Sequence, residues 1–222
     1  MHIQIYTMQS IEEARAVIAA GVDHIGLTPS AIGLPGEVDI PTARAIVDAT
    51  EGLAVRVALS VESDADAIVV MTEAVRPDVL HLCGEVGALT PADVGALRQR
   101  LPGVRIMQAI SMAGPEAIAA SREYHAVVDY LILDTKAPDI PGVGASGKTH
   151  DWAISRRIVE ESPVPVILAG GLSPENVAEA IRAVRPWGVD SLTHTNRRLP
   201  GGGFRKDLVR VAEFVAAARS GG

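Results

Sequence analysis

The sequence predicts an α/β protein built as a single (β/α)8 TIM barrel over residues 1–222. Short β-branched runs alternate with helical patterns from one end to the other, eight of each, in 222 residues. A doubly wound open sheet competes with this, but it usually has fewer strands, and its dinucleotide fingerprint is missing. With 48% hydrophobic residues the chain can bury a full core.

A strand over 3–6 leads into a helix over 11–20, where Ile11, Ala14, Val17 and Ile18 recur at three- and four-residue spacing. The same alternation gives strand 24–28 with helix 41–49, strand 54–60 with helix 65–75, and strand 79–83 with helix 91–100. It continues as 105–110 with 115–123, and 130–134 with 152–161. The seventh pair, 164–169 and 174–184, is the most informative. Its strand ends in Gly170-Gly171, and Ser173 is placed to cap a helix that has Pro174 at its first position and Glu175 and Asn176 in its first turn. The last pair is 188–192 and 206–218. Trp152 and Trp187 are expected to cover the outside of the barrel.

Bulk properties narrow the function. A net charge of −7 and a pI near 5.4 argue against a nucleic-acid or anionic-membrane surface. With only 3% aromatic residues, base-stacking platforms are not expected either. The single cysteine, Cys83, forms no internal disulfide, and no apolar run approaches a membrane span. The N-terminus lacks a basic region followed by a long apolar core, so a cytoplasmic protein is expected.

A barrel places its chemistry at the C-terminal ends of its strands and in the loops that follow. Gly170 and Gly171 open a strand-to-helix turn in which backbone amides can approach an anion and the helix terminus adds positive potential, a phosphate site that needs no cationic side chain. The longest connection, 135–150, carries Gly147, Lys136 and Lys148 and has the length of a lid or ligand loop. None of the three lysines lies within a predicted strand, which disfavours Schiff-base chemistry. His81, Cys83, Asp134 and His194 show no local metal-ligand spacing, so neither metal nor cofactor is expected.

Several segments together resemble the phosphoribosylanthranilate isomerase family: Leu131-Ile-Leu-Asp134-Thr135, Gly144-Ala-Ser-Gly147-Lys148-Thr149-His150-Asp151-Trp152, Leu168-Ala-Gly-Gly-Leu-Ser-Pro-Glu-Asn-Val177 and Gly188-Val-Asp190. Gly21-Val-Asp23-His-Ile-Gly26 and Leu80-His-Leu-Cys-Gly84-Glu85 follow the same layout. The resemblance implies a (β/α)8 barrel and an Amadori rearrangement of an aminoaldose 5-phosphate into a 1-deoxyketose. It makes Asp134 the general acid that protonates the ring oxygen as the sugar opens. The family's base is a strand-one cysteine followed by glycine; here Tyr6-Thr7 stands in that place. The family's basic residue after strand two has no counterpart in residues 30–36, and its Ser-Ser-Gly after strand eight is replaced by Leu192-Thr193-His194.

His81 stands where the family usually has glutamine and Cys83 where it has histidine, and strand alternation puts both on one face. Histidine titrates near neutrality, so His81 or His194 can replace the missing base. Gly147, Thr193 and Arg197 are the candidates to complete phosphate binding beside Gly170 and Gly171. The leading expectation is an isomerase or epimerase acting on a small phosphorylated sugar or sugar-like metabolite, as a monomer or homodimer. The alternatives are the family's own reaction in tryptophan biosynthesis with a rearranged base, and an inactive paralogue that binds a phosphorylated ligand.

Overall fold

The protein was analysed as a computed structural model, which describes residues 1–135, 142–144 and 149–222. Eight parallel strands close into a barrel: β1 (His2–Ile5), β2 (His24–Leu27), β3 (Val55–Ser60), β4 (Val79–Leu82), β5 (Arg105–Ser111), β6 (Tyr130–Asp134), β7 (Val166–Leu168) and β8 (Gly188–Ser191). The ring shuts where β8 pairs with β1, with Gln4 opposite Asp190. On the far side Ser111 pairs with Asp134. The intervening helices are α1 (Ile11–Ala19), α2 (Ile40–Ala49), α3 (Ala65–Val75), α4 (Pro91–Arg100), α5 (Glu116–Tyr124), α6 (Trp152–Glu161), α7 (Val177–Val184) and α8 (Leu208–Gly221).

Strand alternation splits the core in two. Outward-facing Ile3, Ile5, Leu80, Leu82, Leu131 and Leu133 pack with the buried faces of the helices. Inward-facing Tyr6, Val57, Val79, Cys83, Met107, Ile132 and Ile167 fill the barrel itself, so it is a packed core rather than a channel.

Helix starts follow side-chain capping. Ser10, Asp39, Asp64 and Asp151 each accept an amide from the first turn of the helix they open. Thr90 and Asp93 form a reciprocal capping box on α4.

Three expectations are corrected. Helix α7 begins at Val177 rather than at residue 174. Asn176 Oδ1 accepts the Ser173 amide at 2.8 Å and Ser173 Oγ accepts the Glu175 amide, so 173–176 close a turn of their own before the helix. The segment read as a last loop and a helix start is a hairpin, β9 (Asn196–Arg198) with β10 (Phe204–Lys206), and Lys206 therefore does lie in a strand. Trp187 does not lie outside the barrel. It stacks on His2 at 3.8 Å and packs with the inner core at the N-terminal end, beside Tyr130 and His24.

Candidate active site

At the C-terminal end of the barrel a cavity of about 60 Å³ is lined by Tyr6, Thr7, His81, Cys83, Asp134 and Asp190, with Thr28, Leu34, Leu192 and Val143 around them. Two carboxyls reach it from strands two apart in the ring, β6 and β8. Asp134 ends β6, and its Oδ1 accepts the Thr135 amide at 2.7 Å. Burial pushes its carboxyl up to about 7. Asp190 comes from β8 and takes a hydrogen bond from Gln4 Nε2 at 3.1 Å. Burial, reinforced by the charge of Asp134, raises it to about 8. Carboxyls held so close to neutrality can both give and take protons at physiological pH.

Tyr6 and His81 form a pair under this cavity, with the Tyr6 hydroxyl 2.9 Å from His81 Nδ1. Both are only 4% exposed. Burial drives the Tyr6 phenol further above its ordinary range and brings His81 down to about 3. His81 is thus a neutral imidazole, not the near-neutral base expected from histidine's ordinary titration. Cys83 gives its thiol to the Ser60 carbonyl, and burial raises its pKa far above the range of a reactive thiol.

Behind Tyr6 lies Lys206, 5% exposed, whose Nζ donates to the Tyr6 carbonyl and, at 2.6 Å, to Asn196 Oδ1. Burial lowers the amine to about 7, with Glu13 and Asp190 opposing that shift. Glu13 also accepts the Lys206 amide at 2.8 Å, which ties the hairpin to α1. The burial and shifted titration of Asp190 and Lys206 are not legible in the sequence. Asp190 is visible only as a polar residue at the end of a strand, and Lys206 looks like the start of a helix.

The remaining predicted residues are spread along the rim. Gly170 and Gly171, just past β7, have φ of 80° and 64°. A Cβ on Gly170 would come within 2.8 Å of Thr135 Oγ1 and 2.9 Å of His150 Nδ1. Their amides donate to no acceptor among the described residues. Thr193 is exposed in the short 3-10 turn Thr193–Thr195 after β8. His194, half-buried in that turn, does not line the cavity, because the chain leaves the rim after Leu192. The structure thus brings Asp134 and His81 together but not His194. Arg197 is exposed on β9, opposite Arg205. Gly147, Lys136 and Lys148 lie outside the described residues. Of their loop, Val143 is seated in the barrel, its amide donating to the Cys83 carbonyl at 2.8 Å.

A closed eight-stranded parallel barrel, with two buried carboxyls facing a cavity at the C-terminal ends of its strands, has the architecture of a (β/α)8 enzyme. The family model for N-(5'-phosphoribosyl)anthranilate isomerase matches residues 3–192, and the chain belongs to that family. It is an isomerase of the aldose–ketose type. N-(5'-phosphoribosyl)anthranilate isomerase 2 of Methanosarcina mazei is 34% identical over 99% of this chain and 95% of its own. The crystal structure of the isomerase from Thermus thermophilus superposes with a TM-score of 0.81 at 25% identity, covering 99% of both chains. An isomerase solved with reduced 1-(o-carboxyphenylamino)-1-deoxyribulose 5-phosphate shares the fold, with a TM-score of 0.78 at 21% identity and 99% of both chains covered. No helix among the described residues is long and apolar enough to cross a membrane.

Proposed function

We propose that this enzyme catalyses the phosphoribosylanthranilate isomerase reaction of tryptophan biosynthesis, with Asp134 as acid and Asp190 as base. The observation that carries the proposal is the pair of buried carboxyls facing one cavity. Asp134 in its protonated form gives its proton to the ring oxygen as the ring C–O bond opens, leaving an iminium. Asp190 in its ionised form removes the C2 proton, and the C–H electrons neutralise the iminium nitrogen. The resulting enolamine tautomerises to the 1-amino-1-deoxyketose.

Asp190 takes the role of base because Tyr6 cannot. Its phenol is pushed further from neutrality, whereas Asp190, whose neighbour Gln4 is on β1, titrates close to it. The substrate's phosphate is assigned to the amides of Gly170 and Gly171, with the positive end of α7 beyond the 173–176 turn and Thr193, in the turn after β8, as a further candidate contact. The leading expectation from sequence was a different phosphorylated sugar. Near-full-length identity of 34% to a named isomerase favours the family's own substrate instead. We place the enzyme in the cytoplasm, acting on a small phosphorylated metabolite as a monomer or homodimer.

The test is complementation of a tryptophan auxotroph that lacks the isomerase, together with turnover of freshly generated phosphoribosylanthranilate by purified protein. The wild type rescues growth, and Asp134→Asn and Asp190→Asn each lower kcat by about 10²- to 10⁴-fold. A folded wild type that neither rescues growth nor turns the substrate over would overturn the proposal.

A further inference from the structure

Tyr6, Cys83, Asp134 and Asp190 each use a polar side-chain atom in a hydrogen bond to the protein, but two fully buried polar atoms at the cavity do not. His81 Nε2 and Thr7 Oγ1 are both buried with no hydrogen-bond partner among the described residues, and both residues line the cavity. His81 is 4% exposed and Thr7 2%. A buried polar atom without a partner is costly, and two of them on residues that line one cavity point to a ligand that supplies the partner.

We propose that His81 is the sugar-binding donor of this site: its Nε2–H takes a hydroxyl oxygen of the open-chain substrate, and Tyr6 is the positioning residue that fixes the ring and its tautomer. This rests on the aldose–ketose reaction proposed above and adds the group that holds the sugar during it. The phenol O–H is the stronger donor of the pair, so it gives its proton to Nδ1 and leaves the imidazole hydrogen on Nε2. The ring is then locked from one side and presents a neutral donor on the other. A neutral donor can hold a hydroxyl oxygen through the whole proton transfer without changing charge itself.

The placement of Tyr6 is specific. A Cβ on Gly26 of β2 would fall 2.2 Å from Tyr6 Cδ1, so only glycine leaves room for the phenol ring. The ligand class that fits is a polyhydroxylated open-chain phosphate. Thr7 Oγ1, able to donate and accept, offers a second hydroxyl contact from the end of the same strand.

The experiment is a ring-nitrogen NMR spectrum of 15N-histidine-labelled full-length protein, with His81→Gln used for assignment. The probe is reduced 1-(o-carboxyphenylamino)-1-deoxyribulose 5-phosphate. The expected wild-type spectrum shows His81 as the Nε2–H tautomer, and its Nε2–H signal moves on probe binding. Tyr6→Phe is expected to mix the tautomers and lower kcat/KM about tenfold. His81→Gln, which keeps a donor, stays within about tenfold of wild type, whereas His81→Leu loses about 100-fold. An Nδ1–H tautomer, or a His81 signal unmoved while other residues register the probe, would overturn the proposal. Binding of the probe without turnover of phosphoribosylanthranilate defeats the reaction proposed above, yet the histidine spectrum still decides the role of His81. No probe binding at millimolar concentration overturns both.

Discussion

At the scale of single residues, the site is governed by what burial does to charge. Asp134 titrates near 7 and Asp190 near 8, so the catalytic pair carries one proton only in a narrow window. In that window the proton sits mainly on Asp190, so the productive form, with Asp134 protonated and Asp190 ionised, is the minor arrangement of the single proton. Below about 7 both carboxyls hold protons and the base is lost, and above about 8 both are ionised and the acid is lost. The kcat/KM profile is therefore expected to be a narrow bell between those limbs, and a flat profile from pH 6 to 9 would contradict the pairing. Stability follows the same groups. Asp190 has a folded value of about 8 against an ordinary 3.8, so the native state keeps a proton that the unfolded chain releases. The stability from that neutral carboxyl is fully present below about pH 4 and is lost as pH rises through about 8. Asp190→Asn should accordingly be the more stable protein at pH 9, by about 1–3 kcal/mol, with the gap closing toward pH 4. Urea unfolding at the two pH values checks this. Asp134 could be picked out from the sequence because it ends a strand within a distinctive run. The meaning of His81 could not, because its pKa is set by burial and its ring is paired with a residue 75 positions away.

At the scale of elements, the β7–α7 junction links backbone form to binding. Gly170→Ala must hold φ near 80° and seat a Cβ against Thr135 and His150. It should cost about 1–2 kcal/mol of stability and raise KM about tenfold, while kcat changes little. Steady-state kinetics with a melting curve separates the two effects. The elements themselves were largely legible. Helices 65–75, 91–100 and 152–161 coincide with α3, α4 and α6, because apolar periodicity and a capping side chain agree there. The β9–β10 hairpin was not, since three-residue strands around Gly201-Gly202-Gly203 carry no alternation long enough to read. The start of α7 was displaced because the side chains that cap helices, Ser173 and Asn176, bond to each other's turn instead.

At the scale of the whole molecule, the two ends of the barrel divide their duties. The C-terminal end gathers unpaired polar atoms and shifted carboxyls, whereas the N-terminal end is closed by Trp187, His2, His24 and Tyr130. Trp187→Ala should cost about 2–3 kcal/mol of stability and leave kcat at a permissive temperature unchanged within about twofold. Thermal denaturation and an assay of the same sample would show it. Fold class was readable in full because eight repeats of one pattern leave few alternatives. Trp187 was misplaced because periodicity says which residues are apolar, not which end of a cylinder they close.

The contact between Gly26 and the phenol ring has a further consequence for the history of the site. A bare backbone at position 26 lets a bulky aromatic enter at position 6 in a single step. Once the ring is seated, that freedom is gone: position 26 cannot acquire even a methyl group until position 6 shrinks again. The two positions are therefore tied in order: a side chain at 26 has to wait for a smaller residue at 6.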